Sequence, residues 1–78
     1  MMVVRKLFKI GEVMQYSGLS RQTIHNYTVL GLIREEERTE SGHRLYDENV
    51  FERLERVKQL KQKKTLRQIR EVLKHEFD

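Results

Sequence analysis

The segment Ser20-Arg-Gln-Thr-Ile-His-Asn-Tyr27 places Arg21, Gln22, His25 and Asn26 within two turns of a potential helix. These side chains can all read hydrogen-bonding edges. Gln and Asn match adenine N6 and N7, Arg matches guanine O6 and N7 or a phosphate, and His can serve either. A second group follows at Arg38, Gly42, His43 and Arg44. Glycine there permits a turn with positive φ, and Arg44 follows on an arm that can present a guanidinium to phosphate or a narrow minor groove. A third group, Lys63-Lys64-Thr65, sets two ammoniums at a predicted helix start, where free N–H groups favour an anion.

Catalytic chemistry is poorly served by comparison. The chain has no cysteine, which excludes disulfides, thiolate metal sites and cysteine nucleophiles together. His25, His43 and His75 fall on different predicted elements without ligand spacing, so no metal site is expected. No Ser, His and Asp form a recognisable nucleophilic motif, and the isolated glycines form no phosphate-cradling loop. The acidic run Glu35-Glu36-Glu37 reads as a solvated loop, because consecutive carboxylates on an extended chain diverge. No enzyme activity and no cofactor are expected.

The elements that must position these groups are legible from periodicity and caps. Ile10, Val13 and Met14 predict a first short helix, which Ser17-Gly-Leu19 breaks. Ser20 suits the N-cap of a second helix with Ile24, Tyr27 and Leu30 inward, and Gly31 suits its end. Two short helices joined by a glycine-containing turn predict a helix-turn-helix. Leu32-Ile33, a charged stretch, Ser41-Gly42 and His43 to Tyr46 predict a β-hairpin. Within it, the Tyr46 ring is expected to pack on the third helix and leave its hydroxyl exposed. Asp47 can cap that third helix, with Val50, Leu54, Val57 and Leu60 in one stripe. Thr65 can cap a fourth, with Leu66, Ile69, Val72, Leu73 and Phe77 inward.

Seventy-eight residues suffice for one small domain. Residues 1–7 read as a mobile N-terminal extension and 8–78 as the domain. No apolar run approaches the ~20 residues that span a bilayer, so no membrane partner is expected and the chain reads as cytoplasmic. Net charge is +4, distributed unevenly. Residues 1–34 carry five basic groups and one acidic, 35–48 two and six, and 49–78 nine and five. From Lys58 to Arg70 there are six basic residues and no acidic one. Such clusters suit a polyanion, nucleic acid first.

Several separated pieces resemble one pattern, in one order. Phe8-Lys-Ile-Gly-Glu-Val13, Ser17-Gly-Leu-Ser20, Thr23-Ile24, Tyr27, Gly31-Leu-Ile33, Arg38, Gly42-His-Arg-Leu-Tyr-Asp47 and Leu66-x-x-Ile69 resemble the MerR family of bacterial transcription regulators. The resemblance covers Phe8 to Leu73. It implies a mainly α winged helix-turn-helix, with four helices and a small two-stranded β-hairpin wing between helices 2 and 3. It implies a recognition helix at about 20–30 in the major groove and a wing at about 38–46 on the backbone or minor groove. The expected DNA-binding residues are Arg21, Gln22, Thr23, His25, Asn26, Tyr27, Arg38, Gly42, His43, Arg44, Lys63, Lys64 and Thr65. His25 and Asn26 stand where the family commonly has Arg and Tyr, and His43 replaces a common wing Tyr. The usual glycine between helices 3 and 4 is missing from Gln62-Lys-Lys-Thr65.

These features predict sequence-specific binding of double-stranded DNA by a transcription regulator, with RNA polymerase as a further partner. The alternatives are an architectural DNA-binding factor, in recombination directionality or phage packaging, and a basic module docking an acidic protein. Family members usually continue into a coiled-coil helix and an effector domain, whereas this chain ends at Asp78. The isolated chain is therefore expected to be a monomer, dimeric on DNA or through segments absent here.

Overall fold

The computed structural model describes residues 6–77, and Leu7–Lys9 (β1) opens the chain's regular structure. Helix α1 (Ile10–Ser17) follows directly, its first turn closed by the Glu12 carboxylate accepting from the Lys9 N–H at 3.0 Å. Gly18 ends α1, donating to Met14 O at 2.9 Å. Helix α2 (Arg21–Leu30) starts at Ser20, whose Oγ accepts from the Thr23 N–H at 3.1 Å as the sequence predicts. Gly31 ends it with φ of 81°. A Cβ at Gly31 would lie 3.2 Å from Arg70 Nε, so both backbone angle and neighbour favour glycine.

The hairpin pairs β2 (Glu37–Arg38) with β3 (Arg44–Asp47), antiparallel, with Arg38 opposite Arg44. Its turn is closed by Gly42 N–H to Thr39 O and Thr39 N–H to His43 O, both 2.9 Å, with Gly42 at φ 88°. The sheet has three strands rather than two. β1 adds to the other edge of β3, pairing Leu7 with Asp47 and Lys9 with Leu45. Leu7, read from sequence as the end of a mobile extension, is thus part of the sheet, while residues 1–5 of that extension lie outside the described residues.

Helices α3 (Asn49–Leu60) and α4 (Leu66–Phe77) complete the fold. Asp47 accepts from the Asn49 N–H at 3.0 Å and so caps α3 as expected. Thr65 and Gln68 form a reciprocal capping box at the start of α4, with distances of 2.9 and 3.2 Å. The intervening turn needs no glycine. Lys63 and Lys64 N–H both donate to Leu60 O at 3.0 Å, and no non-glycine described residue has positive φ.

The core gathers Val13, Ile24, Leu32, Ile33, Tyr46, Val57, Ile69 and Leu73, so every element except the exposed β2 and the half-buried β1 contributes. Leu30, expected inward, is instead 44% exposed, because α2 closes at Gly31 and Leu32 takes the core position. Arg53 is buried among the apolar residues of α3. Its Nη1 donates to Leu32 O at 3.3 Å, and its guanidinium lies 4.9 Å from the Phe77 ring centroid. Arg56 and Glu76 brace α3 against α4 at 2.8 Å.

Candidate nucleic-acid interface

The N-terminal half of α2 leaves Arg21, Gln22 and Asn26 exposed. Gln22 Nε2 donates to Asn26 Oδ1 at 2.9 Å, an i,i+4 pair that fixes two amides on one helix face. The pair still offers an acceptor at Gln22 Oε1 and donors at Asn26 Nδ2, the complement of adenine N6 and N7. Thr23 is half-buried, and its Oγ1 accepts from Ser20 Oγ at 2.9 Å, so it serves the cap. Tyr27 points the other way. Its ring is buried in the core with Lys61 Nζ 5.9 Å from the centroid, and what it offers this face is packing.

His25 is half-buried because it faces the wing. Arg44 Nη1 lies 2.7 Å from His25 Nδ1. A guanidinium only donates, so Nδ1 is the acceptor and the ring proton sits on Nε2, free to face a partner. Three positions further along α2, Thr28 Oγ1 meets the Tyr46 hydroxyl at 2.9 Å. The sequence-based expectation for Tyr46 was an exposed hydroxyl. The residue is fully buried instead, because Thr28 supplies the polar partner that burial of a phenol requires. The wing is therefore bonded to α2 at two points on β3, Arg44 and Tyr46.

Arg44 is not the exposed cation its position suggests. Its side chain is only 23% exposed, and its Nε lies 3.3 Å from Glu35 Oε2, close enough for an ion pair though not aligned for a hydrogen bond. Arg38 Nε donates to both Glu35 oxygens at 3.0 Å. The acidic run thus departs from its reading as a solvated loop: Glu35 is half-buried between two arginines, and Glu37 belongs to β2. At the wing tip, Gly42 is exposed, and His43 N–H donates to Thr39 Oγ1 at 3.1 Å with its Nδ1 3.3 Å from Ser41 Oγ.

An open cleft of about 550 Å³ lies between the start of α1, the start of α2 and the wing. Its lining brings together Arg21, His43 and Arg44, and adds Lys9, which sequence reasoning missed. The signal for Lys9 was a cation directly before a helix start. Lys63, Lys64 and Thr65 are exposed on the α3–α4 turn, outside this cleft. Lys61, also missed, borders the groove that Thr23, His25 and Asn26 line. Among the described residues, no three His, Asp or Glu side chains are placed to hold a metal ion, and no helix is long and apolar enough to cross a membrane.

A helix-turn-helix whose second helix is bonded to a β-hairpin defines a winged helix-turn-helix protein. The chain belongs to the MerR family: residues 8–76 match the MerR HTH family of regulatory proteins. It is 47% identical over 47 residues to the mercuric resistance operon regulatory protein of Bacillus cereus, covering 60% of this chain and 36% of that protein. It is 38% identical over 50 residues to the nodulation protein NolA of Bradyrhizobium elkanii, covering 64% of this chain and 23% of the relative. The crystal structure of the N-terminus of MtaN, the Bacillus subtilis multidrug transporter activator, superposes with a TM-score of 0.80 at 33% identity. That match covers 91% of this chain and 69% of the other. The chain spans well under half the length of these curated relatives.

Proposed function

We propose that this chain binds double-stranded DNA sequence-specifically, as the DNA-binding domain of a bacterial transcription regulator. The observation that carries the reading is the bonded pair of α2 and wing. Exposed Gln22 and Asn26 stand on one element and the Arg38–Arg44 pair on the other, joined through Arg44 and His25. In this arrangement α2 enters the major groove, where the Gln22–Asn26 pair reads a base edge. The wing lies over the flanking backbone or minor groove, and Arg21, Lys63 and Lys64 add phosphate contacts. Lys9 lines the cleft beside Arg21. One domain offers a small footprint, so two chains on a two-fold site give tighter binding than one. RNA polymerase is the further partner on this reading.

Selection of bound sites from random double-stranded DNA, followed by titration over a salt series, tests the proposal. We expect one compact motif. We also expect log K against log[salt] to fall with a slope of about −4 to −5 per chain, from Arg21, Arg38, Arg44, Lys63 and Lys64. A slope near zero, or no enriched motif, overturns the reading. Phased protection with strong bending and no compact site would assign an architectural role instead.

A further inference from the structure

The hairpin register sets Arg38 directly opposite Arg44. Like charges facing each other across two strands repel, so this pairing needs a counter-ion. Glu35 supplies it. Its carboxylate takes Arg38 Nε at 3.0 Å on each oxygen and lies 3.3 Å from Arg44 Nε. That Arg44 Nε is buried and has no aligned acceptor, so the Glu35 charge is what compensates its desolvation.

The geometry points to Glu35 as a positioning residue for phosphate binding by the wing, an inference that rests on the DNA-binding reading above. Both arginines meet the carboxylate through Nε. Arg44 uses Nη1 on His25, which leaves Nη2, and Arg38 keeps both Nη groups, without a protein partner among the described residues. Two guanidiniums and one carboxylate carry a net positive charge, so the cluster still attracts an anion. A phosphate therefore meets donors already held in place, and less side-chain freedom is lost on binding. Glu35 stays in the complex as the fixed end of both side chains.

This role predicts an effect opposite to that of bulk charge. Removing an acidic residue from a DNA-binding face should by Coulomb attraction tighten binding. We expect Glu35→Ala to weaken it about tenfold, the ordering freedom of two long side chains being restored to the free protein. The salt slope should become less steep by about one to two, as the two arginines stop acting as fixed contacts.

The test titrates double-stranded DNA carrying the selected motif with the parent chain, Glu35→Ala, Glu35→Gln, the Arg38→Ala/Arg44→Ala double variant and the triple variant. Thermal unfolding is followed by circular dichroism in each. Glu35→Gln keeps one acceptor, is the milder change for folding, and should bind between parent and Glu35→Ala. In the background lacking both arginines, the loss caused by Glu35→Ala should disappear, which a merely structural role would not predict. If the parent fails to bind any DNA, the functional reading fails first. If the parent binds while Glu35→Ala and Glu35→Gln bind as tightly or more tightly, Glu35 is a competitor for the arginines and the positioning role is overturned. An equal loss with and without the arginines overturns it as well.

Discussion

Two of the arginine–carboxylate contacts in this molecule leave their arginines in different states. Between α3 and α4, Arg56 gives Nε to Glu76 at 2.8 and 3.1 Å, Nη2 to the same carboxylate at 2.8 Å and Nη1 to Gln59 at 3.2 Å. Every nitrogen of that guanidinium has a protein partner. In the wing, Arg38 and Arg44 both approach Glu35 through Nε; Arg44 gives Nη1 to His25, while its Nη2 and both Nη groups of Arg38 stay available. The first arrangement is complete as a brace, whereas the second is a pair of cations held open. Counting ion pairs would treat them alike. Counting which donors remain separates a structural contact from a binding one.

The largest expected effect breaks the wing side of that comparison. Arg44→Ala should lower DNA affinity at every site by roughly 1–3 kcal/mol, measured by anisotropy titration. Because Arg44 is mostly covered and holds His25, stability should also fall by about 1 kcal/mol, where an exposed arginine would change little. Unchanged affinity would remove Arg44 from the interface.

A narrower effect belongs to the bonded amides on α2. Gln22→Ala or Asn26→Ala should lose about 1–3 kcal/mol of discrimination at one base position. The double variant should lose less than the sum, because each amide helps hold the other. Identical preference logos for parent and variants would mean that readout lies elsewhere.

Tyr46→Phe should lower stability by about 1 kcal/mol by removing the Thr28 partner, as read from thermal unfolding. The smallest effect is expected at the brace. Glu76→Gln should leave DNA affinity unchanged and cost only a little stability. The hydrogen bonds from Arg56 hold the Glu76 carboxyl below the usual carboxylate range, with Coulomb attraction adding and burial opposing. A depressed folded-state pKa means the contribution is present at neutral pH. It fades as pH falls through the carboxylate range to the folded-state value. Melting curves of parent and variant should therefore converge in acid, and a gap that widens there would contradict the assignment.

What could be read from the sequence was local. Ser20, Gly31, Asp47 and Thr65 announce element ends by chemistry that acts within three residues, and each does so in the structure. The apolar stripes of α3 and α4 were equally plain. Long-range decisions were not. The three residues of β1 are too few to show alternation, and their partner is the distant β3. Arg53 adjoins the apolar stripe of α3, and its burial depends on Leu32 O and Phe77, which are distant in sequence. Glu35 was one of three adjacent glutamates, and only the hairpin register, by setting Arg38 against Arg44, distinguishes it from Glu36 and Glu37. Among the candidate site residues, Arg21, Gln22 and Asn26 stand exposed, and Tyr27 is buried, in line with its place on the inward stripe of α2.

Arg44 and Tyr46 lie two apart on β3, and His25 and Thr28 three apart on α2, so one strand face and one helix face are pinned together twice. On the proposed reading, those two pins turn the domain into a calliper with its jaws set. The span from groove-filling helix to backbone-touching arm is then a property of the protein, not of the duplex it meets. A duplex of another width or twist must be deformed to fit, and the work depends on base steps that no side chain touches. Such a domain would rank sites partly by stiffness, and loosening one pin should flatten that ranking at the uncontacted steps.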